Sequence, residues 1–174
     1  MASCHASHKY LRKENKMKTF ILTVGIPGSG KTTAVSKEFP TATNISPDSF
    51  IGYTEENPWT PIAARQAWKK SDALLKEAFE RGDEIIVFDA TFPKSKKRRK
   101  YINKAIENGY EAVALYCPCP LKISFARNME RPKFRGVPKW IIESMNNNLE
   151  VPTKEEGFKY ILTFNSITNK LINE

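Results

Sequence analysis

Residues 20–33 read Phe-Ile-Leu-Thr-Val-Gly-Ile-Pro-Gly-Ser-Gly-Lys-Thr-Thr, and this stretch decides the fold. The apolar run over residues 20–24 predicts a buried strand. Residues 25–32 then match the pattern G-x-x-x-x-G-K-[ST] in full, between that strand and a predicted helix, which is the context that this motif requires. The alternative is a glycine-rich turn that matches by accident, and the strand and helix on either side argue strongly against it.

Residues of these types, in this order, are suited to hold a nucleoside triphosphate. Gly28 and Gly30 let backbone N–H groups turn inward around the β-phosphate, and the helix N-terminus adds partial positive charge. In such a loop Lys31 reaches the β- and γ-phosphates, and the hydroxyl of Thr32 ligates Mg²⁺. We therefore predict that the chain binds ATP and Mg²⁺, with Thr32 as the metal ligand. The predicted ATP contacts in this loop are Gly25, Pro27, Gly28, Ser29, Gly30, Lys31, Thr32 and Thr33.

Length and composition indicate one folded domain. The chain has 174 residues, of which 40% are hydrophobic, and 28 Lys plus Arg against 19 Asp plus Glu give a formal net charge of +9. A chain of this size can bury enough surface to need no disulfide or metal staple. The three cysteines are too few and too badly spaced for a disulfide scaffold, which favours a reducing, cytoplasmic location. No run approaches the ~18 apolar residues of a membrane span, so we expect no membrane contact.

The N-terminal stretch differs from the rest of the chain. We expect residues 1–16 to be a flexible extension without a role in the fold, and residues 17–174 to form the domain. Cys4, His5 and His8 are potential metal ligands, but no further ligands stand nearby, so a disordered arm is the preferred interpretation.

Beyond the glycine-rich loop, apolar runs alternate with helical periodicity, which is typical of a parallel α/β sheet. Strands are predicted over residues 20–24, 42–46, 84–88, 111–116 and 160–164. Helices are predicted over residues 31–39, 60–81, 95–107, 121–131 and 138–149. The expected fold is α/β, a parallel sheet of four to five strands flanked by helices.

Two acids follow predicted strands. Asp48 comes just after the second strand, and Asp89 ends the third. The carboxyl ends of parallel strands open onto the same crevice as the phosphate-binding loop. There Asp48 is placed to accept a proton from an attacking hydroxyl, and Asp89 to reach the Mg²⁺ shell or hold the acceptor. The alternatives are a helix N-cap for Asp48, because Ser-Pro-Asp also begins helices, and a surface loop for Asp89.

Arginines suited to the phosphates lie later in the chain. Arg127 and Arg131 are four residues apart on one predicted helix and so share a face, and Arg135 follows after Pro132. Such arginines neutralise charge that develops in the transition state, here on a mobile lid over residues 131–137 that closes over ATP. Solvated helix charges are an equally open alternative.

Residues 94–100 read Lys-Ser-Lys-Lys-Arg-Arg-Lys, with six basic residues in seven positions. Such a run suits a polyanion, because neutralised phosphates release counterions. It begins five residues after Asp89, on the side of the expected active site, so we favour nucleic-acid contact over a merely solvated face. The predicted nucleic-acid contacts are Lys96, Lys97, Arg98 and Arg99.

Three aromatic residues lie near Asp48 in the sequence. Trp59 is the better candidate to stack on a base, and Tyr53 is a second one. Trp68 is expected on the core face of its helix.

An ordered set of short motifs follows the glycine-rich loop. They are Pro47-Asp48, Phe88-Asp89-Ala90-Thr91, Arg98-Arg99, Arg127-Asn128 with Arg131, Val137-Pro138, Pro152-Thr153 and Glu156-Gly157-Phe158. With residues 25–33, this set resembles the polynucleotide kinase branch of the P-loop kinases, found in phage and bacterial nucleic-acid repair. The resemblance spans residues 17–158.

The resemblance implies transfer of the ATP γ-phosphate to a 5′-hydroxyl end of RNA or DNA, on a P-loop kinase fold with an arginine-bearing lid. It implies that Asp48 is the general base and Asp89 the second essential carboxylate. Lys31 and Thr32 would hold the phosphates and Mg²⁺. Arg131, supported by Arg127, would be the lid arginine on the donor phosphates.

The sequence departs from the family at two positions. Ile51 stands where an arginine would grip the acceptor's 3′-side phosphate, and Phe92 stands where the family often has asparagine. Two other functions therefore stay open. One is a P-loop kinase for a small molecule such as a nucleoside or nucleotide. The other is a nucleic-acid-binding NTPase with water as acceptor, although the sequence has no Asn-Lys-x-Asp guanine-reading motif.

Overall fold

The computed structural model describes residues 17–51 and 60–172. Its strands are β1 (Lys18–Val24), β2 (Thr43–Ile45), β3 (Ile85–Phe88), β4 (Tyr110–Tyr116), β5 (Tyr160–Asn165) and β6 (Lys170–Ile172). Its α-helices are α1 (Lys31–Glu38), α2 (Pro61–Arg81), α3 (Ser95–Glu107), α4 (Leu121–Met129) and α5 (Lys139–Asn147). Short 3-10 helices span Pro47–Phe50, Lys133–Arg135 and Lys154–Glu156.

The strands form one sheet in the order β2-β3-β1-β4-β5-β6. All neighbouring pairs are parallel except the last, in which β6 runs antiparallel to β5. β1 lies in the interior and pairs with β3 on one side and β4 on the other. The loop that leaves β1 therefore stands between the loops that leave its two neighbours, which is where α/β sheets bind their ligands.

The core lies on both faces of the sheet, because consecutive strand residues point to opposite faces. Phe20 and Leu22 of β1 pack in a cluster with residues of α2 and α3, whereas Ile21 packs with residues of α1. All three side chains are fully buried. A strand that is buried on both faces reads as a continuous apolar run, which explains the pattern at residues 20–24.

Local signals fix the ends of the longest helix. The side chain of Thr60, the N-cap of α2, accepts a hydrogen bond from the backbone N–H of Ala63 at 3.1 Å. Gly82 ends the helix in the left-handed conformation, with φ of 74°, and donates its N–H to Ala78 and Phe79. Glycine adopts this conformation at little cost, which is why it stops helices.

The predicted α/β fold with a parallel sheet flanked by helices is confirmed, and the structure adds one antiparallel strand. β6 is only three residues long and has no apolar run that would announce it. It is brought back beside β5 by a tight turn, in which Asn165 Oδ1 accepts hydrogen bonds from the N–H groups of Ile167 and Thr168. An asparagine turn of this kind sets the hairpin locally.

Several expectations concern residues outside the described part of the chain. These are the extension over residues 1–16 with Cys4, His5 and His8, and the stacking candidates Tyr53 and Trp59. Within residues 17–51 and 60–172, the structure has no helix that is both long and apolar enough to cross a membrane.

Candidate active site

The glycine-rich loop connects β1 to α1 and can be built only with glycine at two positions. Gly28 and Gly30 have φ of 79° and 91°, a region that side chains rarely adopt. A Cβ at Gly28 would stand 2.8 Å from the carbonyl oxygen of Ser124, and one at Gly30 would stand 2.6 Å from Cβ of Ser166. The loop is therefore wedged between α4 and the β5–β6 hairpin.

This loop forms the floor of a cavity of about 370 Å³. Four kinds of element contribute to its wall: the loop, the first turn of α1, the arginines of α4 and the lid, and the β5–β6 hairpin. The lining residues are Gly28, Gly30, Lys31, Thr32, Thr33, Arg127, Arg131, Ser166 and Asn169. Most of the predicted phosphate contacts thus line one cavity together with both predicted arginines.

Lys31 is buried under the loop. Its ammonium donates a hydrogen bond to the carbonyl oxygen of Ile26 at 2.8 Å. Burial lowers the pKa of Lys31 from its ordinary value, and the carboxylates of Asp89 and Asp48 act in the opposite direction. A buried lysine at this position of the loop is placed to receive phosphate oxygens.

Asp89 is hydrogen-bonded to Thr32, in the helical turn that follows the glycine-rich loop. Thr32 Oγ1 donates to Asp89 Oδ2 at 2.8 Å, and Thr23 Oγ1 donates to Asp89 Oδ1 at 3.2 Å. The backbone N–H of Asp89 donates to Ile45 of β2 at 2.8 Å, so the carboxylate is fixed from both sides. Asp89 is buried, and the alternative of a surface-loop aspartate is wrong.

The pair of Thr32 and Asp89 fits Mg²⁺, which prefers hard oxygen ligands. In the described part of the chain, no three Asp, Glu, His or Cys side chains converge on a common point. Mg²⁺ that is bound by one or two protein oxygens takes its remaining ligands from nucleotide phosphates and water. Thr32 and Asp89 are therefore the residues that would hold Mg²⁺ beside the phosphates.

Asp48 lies in the first turn of the short helix Pro47–Phe50, directly after β2, and is exposed. The N-cap of this helix is Ser46, so the alternative in which Asp48 is the N-cap is wrong. The Asp48 carboxylate acts to raise the pKa of Lys31, less strongly than Asp89 does. Its role as general base stays a prediction.

The two predicted arginines differ in how they are held. Arg127 donates from Nη1 to the carbonyl oxygen of Gly28 at 3.2 Å and to Ser166 Oγ at 2.8 Å, and from Nη2 to the carbonyl oxygen of Ser166 at 2.9 Å. It ties the glycine-rich loop to the hairpin. Arg131 lines the cavity with an exposed side chain, whereas Arg135 is not among the lining residues. Because Arg127 is already held by three hydrogen bonds, Arg131 is better placed than Arg127 to move onto a phosphate.

Three residues of this site escaped the sequence analysis. Ser166 and Asn169 come from the β5–β6 hairpin, and Ser124 Oγ donates to the carbonyl oxygen of Pro27 at 2.6 Å. The position of Ser166 at the carboxyl end of a parallel strand was a usable signal, since that end faces the ligand crevice. The hydroxyl of Ser29 is buried without a hydrogen-bond partner among the described residues.

The basic run on α3 divides into an inward and an outward part. Arg98 is fully buried, and it donates from Nε and Nη2 to the carboxylate of Glu156 at 2.7 and 2.6 Å. Its Nη1 donates to the carbonyl oxygens of Phe92 and Pro93. The prediction that Arg98 contacts nucleic acid is wrong, because a side chain in this position is out of reach of an external polyanion.

The remaining cations of the run point outward. Lys96, Lys97 and Arg99 are exposed. Lys97 Nζ lies 3.2 Å from the ring centroid of Trp68, and partial burial lowers its pKa. Trp68 itself stacks on Phe88 with ring centroids 5.6 Å apart, so its expected place in the core is confirmed.

Both departures from the family pattern are apolar and buried. Ile51 is 7% exposed and Phe92 is 1% exposed. Phe92 has φ of 42°, uncommon for a residue with a side chain, and packs against Phe88 and Tyr101 at centroid distances of 5.4 and 5.2 Å. Neither side chain is available to a phosphate.

The chain is 29% identical over 175 residues to L-seryl-tRNA(Sec) kinase of Methanococcus maripaludis, a match over 88% of the chain. The chain spans 63% of the length of this relative.

Solved structures share the fold at low sequence identity. A structure from the PezAT chromosomal toxin-antitoxin system of Streptococcus pneumoniae has a TM-score of 0.68 and 19% identity, over 97% of this chain and 79% of that chain. A structure of the Pnkp1/Rnl/Hen1 RNA repair complex has a TM-score of 0.65 and 18% identity, over 93% of this chain and 50% of that chain.

A family model described as an AAA domain, AAA_33, matches residues 20–152. This range contains the glycine-rich loop, both candidate acids and both cavity arginines. The chain therefore belongs to the AAA_33 family, and its α/β fold is shared by the solved kinase structures to which it is similar.

Proposed function

We propose that the protein is a polynucleotide 5′-hydroxyl kinase, which transfers the ATP γ-phosphate to a 5′-hydroxyl end of RNA or DNA. The observation that carries the proposal is the course of α3. This helix begins six residues after Asp89, on the active-site edge of the sheet, and turns Lys96, Lys97 and Arg99 outward. A polynucleotide whose end lies at Asp89 would run along these cations.

The cationic surface extends beyond the predicted contacts. Lys94 and Lys100 join Lys96 and Lys97 around a shallow depression on the outside of α3. Glu150 lies at its margin and pairs with Lys94 at 3.3 Å. Surface cations in such a row give affinity for a phosphate backbone without sequence preference, which suits an enzyme that acts on ends.

The proposed reaction is an in-line displacement. The 5′-hydroxyl oxygen forms a bond to the γ-phosphorus while the bond from that phosphorus to the β–γ bridging oxygen breaks, and ADP leaves. Asp48 accepts the hydroxyl proton. Lys31 and Arg131 stabilise the negative charge on the transferred group and on ADP. Thr32 and Asp89 would hold Mg²⁺, which would supply positive charge against the phosphates.

Two of the similar proteins support an acceptor that is carried on a nucleic acid. One is named as a kinase of seryl-tRNA(Sec), and the other belongs to an RNA repair complex. Both names describe those proteins, and for this chain an acceptor on RNA or DNA is our proposal.

The first experiment supplies γ-labelled ATP and Mg²⁺ together with 5′-hydroxyl RNA and DNA oligonucleotides, with nucleosides and 3′-nucleotides as competing acceptors. We expect label on the oligonucleotides. Label on the small acceptors alone, or free phosphate alone, would overturn the proposal.

A paired comparison tests the cationic surface. The variant Lys96→Ala/Arg99→Ala should raise the KM for the oligonucleotide and flatten its dependence on salt, because about two phosphate contacts are lost. The matched control is Lys18→Ala/Lys159→Ala, which removes the same charge at the amino ends of β1 and β5, on the opposite edge of the sheet. Equal effects of the two variants would show that only net charge matters.

A small-molecule acceptor is the second candidate, and the burial of Ile51 favours it. This position cannot supply the arginine that would grip a phosphate of the acceptor strand. Under this alternative, Lys96→Ala/Arg99→Ala leaves the KM for the acceptor unchanged at every salt concentration.

A further inference from the structure

One face of α4, continued by Arg131 just past the end of the helix, carries four polar residues that contact the glycine-rich loop, the cavity or the lid. Ser124, Arg127, Asn128 and Arg131 follow the spacing i, i+3, i+4 and i+7, which places them in one stripe. Arg131 lies just past the helical C-cap Glu130, whose backbone is still helical. The stripe therefore continues into the first residues of the lid.

The first half of this stripe is fastened to the glycine-rich loop. Ser124 Oγ donates to the carbonyl oxygen of Pro27 at 2.6 Å, and Arg127 Nη1 donates to that of Gly28 at 3.2 Å. Since both acceptors belong to the loop backbone, α4 cannot shift relative to the phosphate site without breaking these bonds.

Asn128, in the second half of the stripe, is hydrogen-bonded to the end of the lid. Its Nδ2 donates to the carbonyl oxygen of Val137 at 2.8 Å, and its Oδ1 accepts from the N–H of Val137 at 3.0 Å. The side-chain amide thus pairs with both backbone groups of one residue, as a neighbouring strand would. Val137 directly precedes Pro138, the N-cap of α5.

These two bonds close residues 129–136 into a loop whose ends are held together. Arg131 stands near the start of this loop and reaches the cavity from there. An exposed arginine has many rotamers, so fixing the backbone that carries it reduces the freedom it must lose on meeting a phosphate.

We propose that Asn128 is a positioning residue for phosphoryl transfer: by clasping Val137 it closes the base of the lid and sets the approach of Arg131 to the donor phosphates. This inference rests on the proposed role of Arg131. Asn128 touches neither ATP nor acceptor in the proposal, and it acts on the reaction through Arg131.

The test is a double-mutant cycle with the variants Asn128→Ala, Arg131→Ala and the pair. The kcat for ADP formation is measured with the acceptor, in its hydroxyl form, that the first experiment shows to receive the label, and thermal unfolding is measured on each variant. We expect Asn128→Ala to lower kcat about ten-fold in the native background and less than about two-fold in the Arg131→Ala background. Its effect on the unfolding temperature should be the same in both backgrounds.

A matched control is Asn108→Ala. Asn108 Nδ2 also donates to a backbone carbonyl, that of Lys104, but at the end of α3 and beside the amino end of β4, away from the site. Asn128→Asp covers the case in which Asn128→Ala does not fold, because it keeps the acceptor for the N–H of Val137 and replaces the donor by a charged oxygen that repels the carbonyl of Val137. Asn108→Ala should leave kcat unchanged.

The outcomes separate the two proposals. If Arg131→Ala keeps full activity, the role of Arg131 fails, and the inference about Asn128 fails with it. If Arg131→Ala is impaired and Asn128→Ala lowers kcat by the same factor in both backgrounds, the role of Arg131 stands and the positioning role of Asn128 is overturned.

A second readout needs no turnover. Trypsin cleaves after arginine and lysine unless proline follows, so the lid loop offers it the bonds after Lys133 and Arg135, whereas Arg131 precedes Pro132. A non-hydrolysable ATP analogue with Mg²⁺ should protect these bonds in the native protein, and that protection should be lost in Asn128→Ala. Equal protection of the two proteins would overturn the inference.

Discussion

Thr32 and Asp89, 57 positions apart in the chain, are joined by a hydrogen bond of 2.8 Å from Oγ1 to Oδ2. Thr32 lies in the first turn of α1, behind the glycine-rich loop, and Asp89 directly follows the neighbouring strand β3. Their contact joins a carboxylate to the hydroxyl of Thr32, which lines the phosphate cavity, and this pair of oxygen ligands is suited to a hard cation.

Asp89→Asn should lower kcat on the order of 100-fold or more, because the amide removes the negative charge of the metal site. The amide oxygen still accepts from Thr23 or Thr32, so the unfolding temperature should change little. Steady-state kinetics over a range of Mg²⁺ concentrations, beside thermal unfolding, checks both points. A variant with native kcat at every Mg²⁺ concentration would contradict the assignment.

Asp48→Asn should abolish measurable turnover and leave ATP binding within about two-fold, since a general base contributes about 10²–10⁴ in rate and does not hold the donor. Isothermal titration with ATP and labelled-phosphate transfer give the two quantities separately. Ser49→Ala, at the next exposed position, is the matched control. Joint loss of ATP binding and turnover would remove Asp48 from the role of base.

Lys31→Met should abolish phosphoryl transfer but raise the unfolding temperature near neutral pH. Burial lowers the pKa of Lys31 from 10.5, so keeping the ammonium charged in the folded state costs free energy. The unfolded state binds the proton more tightly, and the native protein therefore gains stability as pH rises from the lowered value towards 10.5.

The advantage of Lys31→Met should consequently shrink over that alkaline window. Differential scanning calorimetry from pH 7 to pH 10 measures it, with exposed Lys69→Met as the control. A gap between the two proteins that widens with pH would contradict the expected sign.

Arg98→Ala should lower the free energy of unfolding by about 3–5 kcal/mol, because it leaves the buried carboxylate of Glu156 without its partner. The neighbouring exposed Arg99→Ala should change it by no more than about 0.5 kcal/mol. Urea unfolding of the two variants provides the comparison. Similar losses from both would mean that the ion pair contributes no more than an average surface charge.

The sequence carried enough information for the sheet and the phosphate loop. The apolar runs of the parallel strands are long, and the glycine pattern has a strict spacing, so tertiary context does not change what they form. The three-residue β6 was not predictable in this way, because it exists only through its pairing with β5.

The burial of Arg98, by contrast, could have been predicted from the sequence. Arg98, Tyr101, Ile102 and Ala105 follow the helical spacing i, i+3, i+4 and i+7, and all four are buried on α3. The helical periodicity predicts that Arg98 lies on the apolar face, whereas the density of charge predicts that it lies among the surface cations. The structure agrees with the periodicity. No sequence pattern announces the hydrogen bonds of Arg127 to Ser166, since they join α4 to the turn after β5.

The β5–β6 hairpin closes the nucleotide cavity through Ser166 and Asn169, although the loop that holds the phosphates is made near residue 30. During synthesis on the ribosome, the hairpin that contributes Ser166 and Asn169 is therefore made after the phosphate loop, both acids and both arginines. ATP should stabilise nascent chains that have released residue 172 more strongly than chains that end before β5. The order of translation thus sets when this domain first becomes able to bind its nucleotide in full.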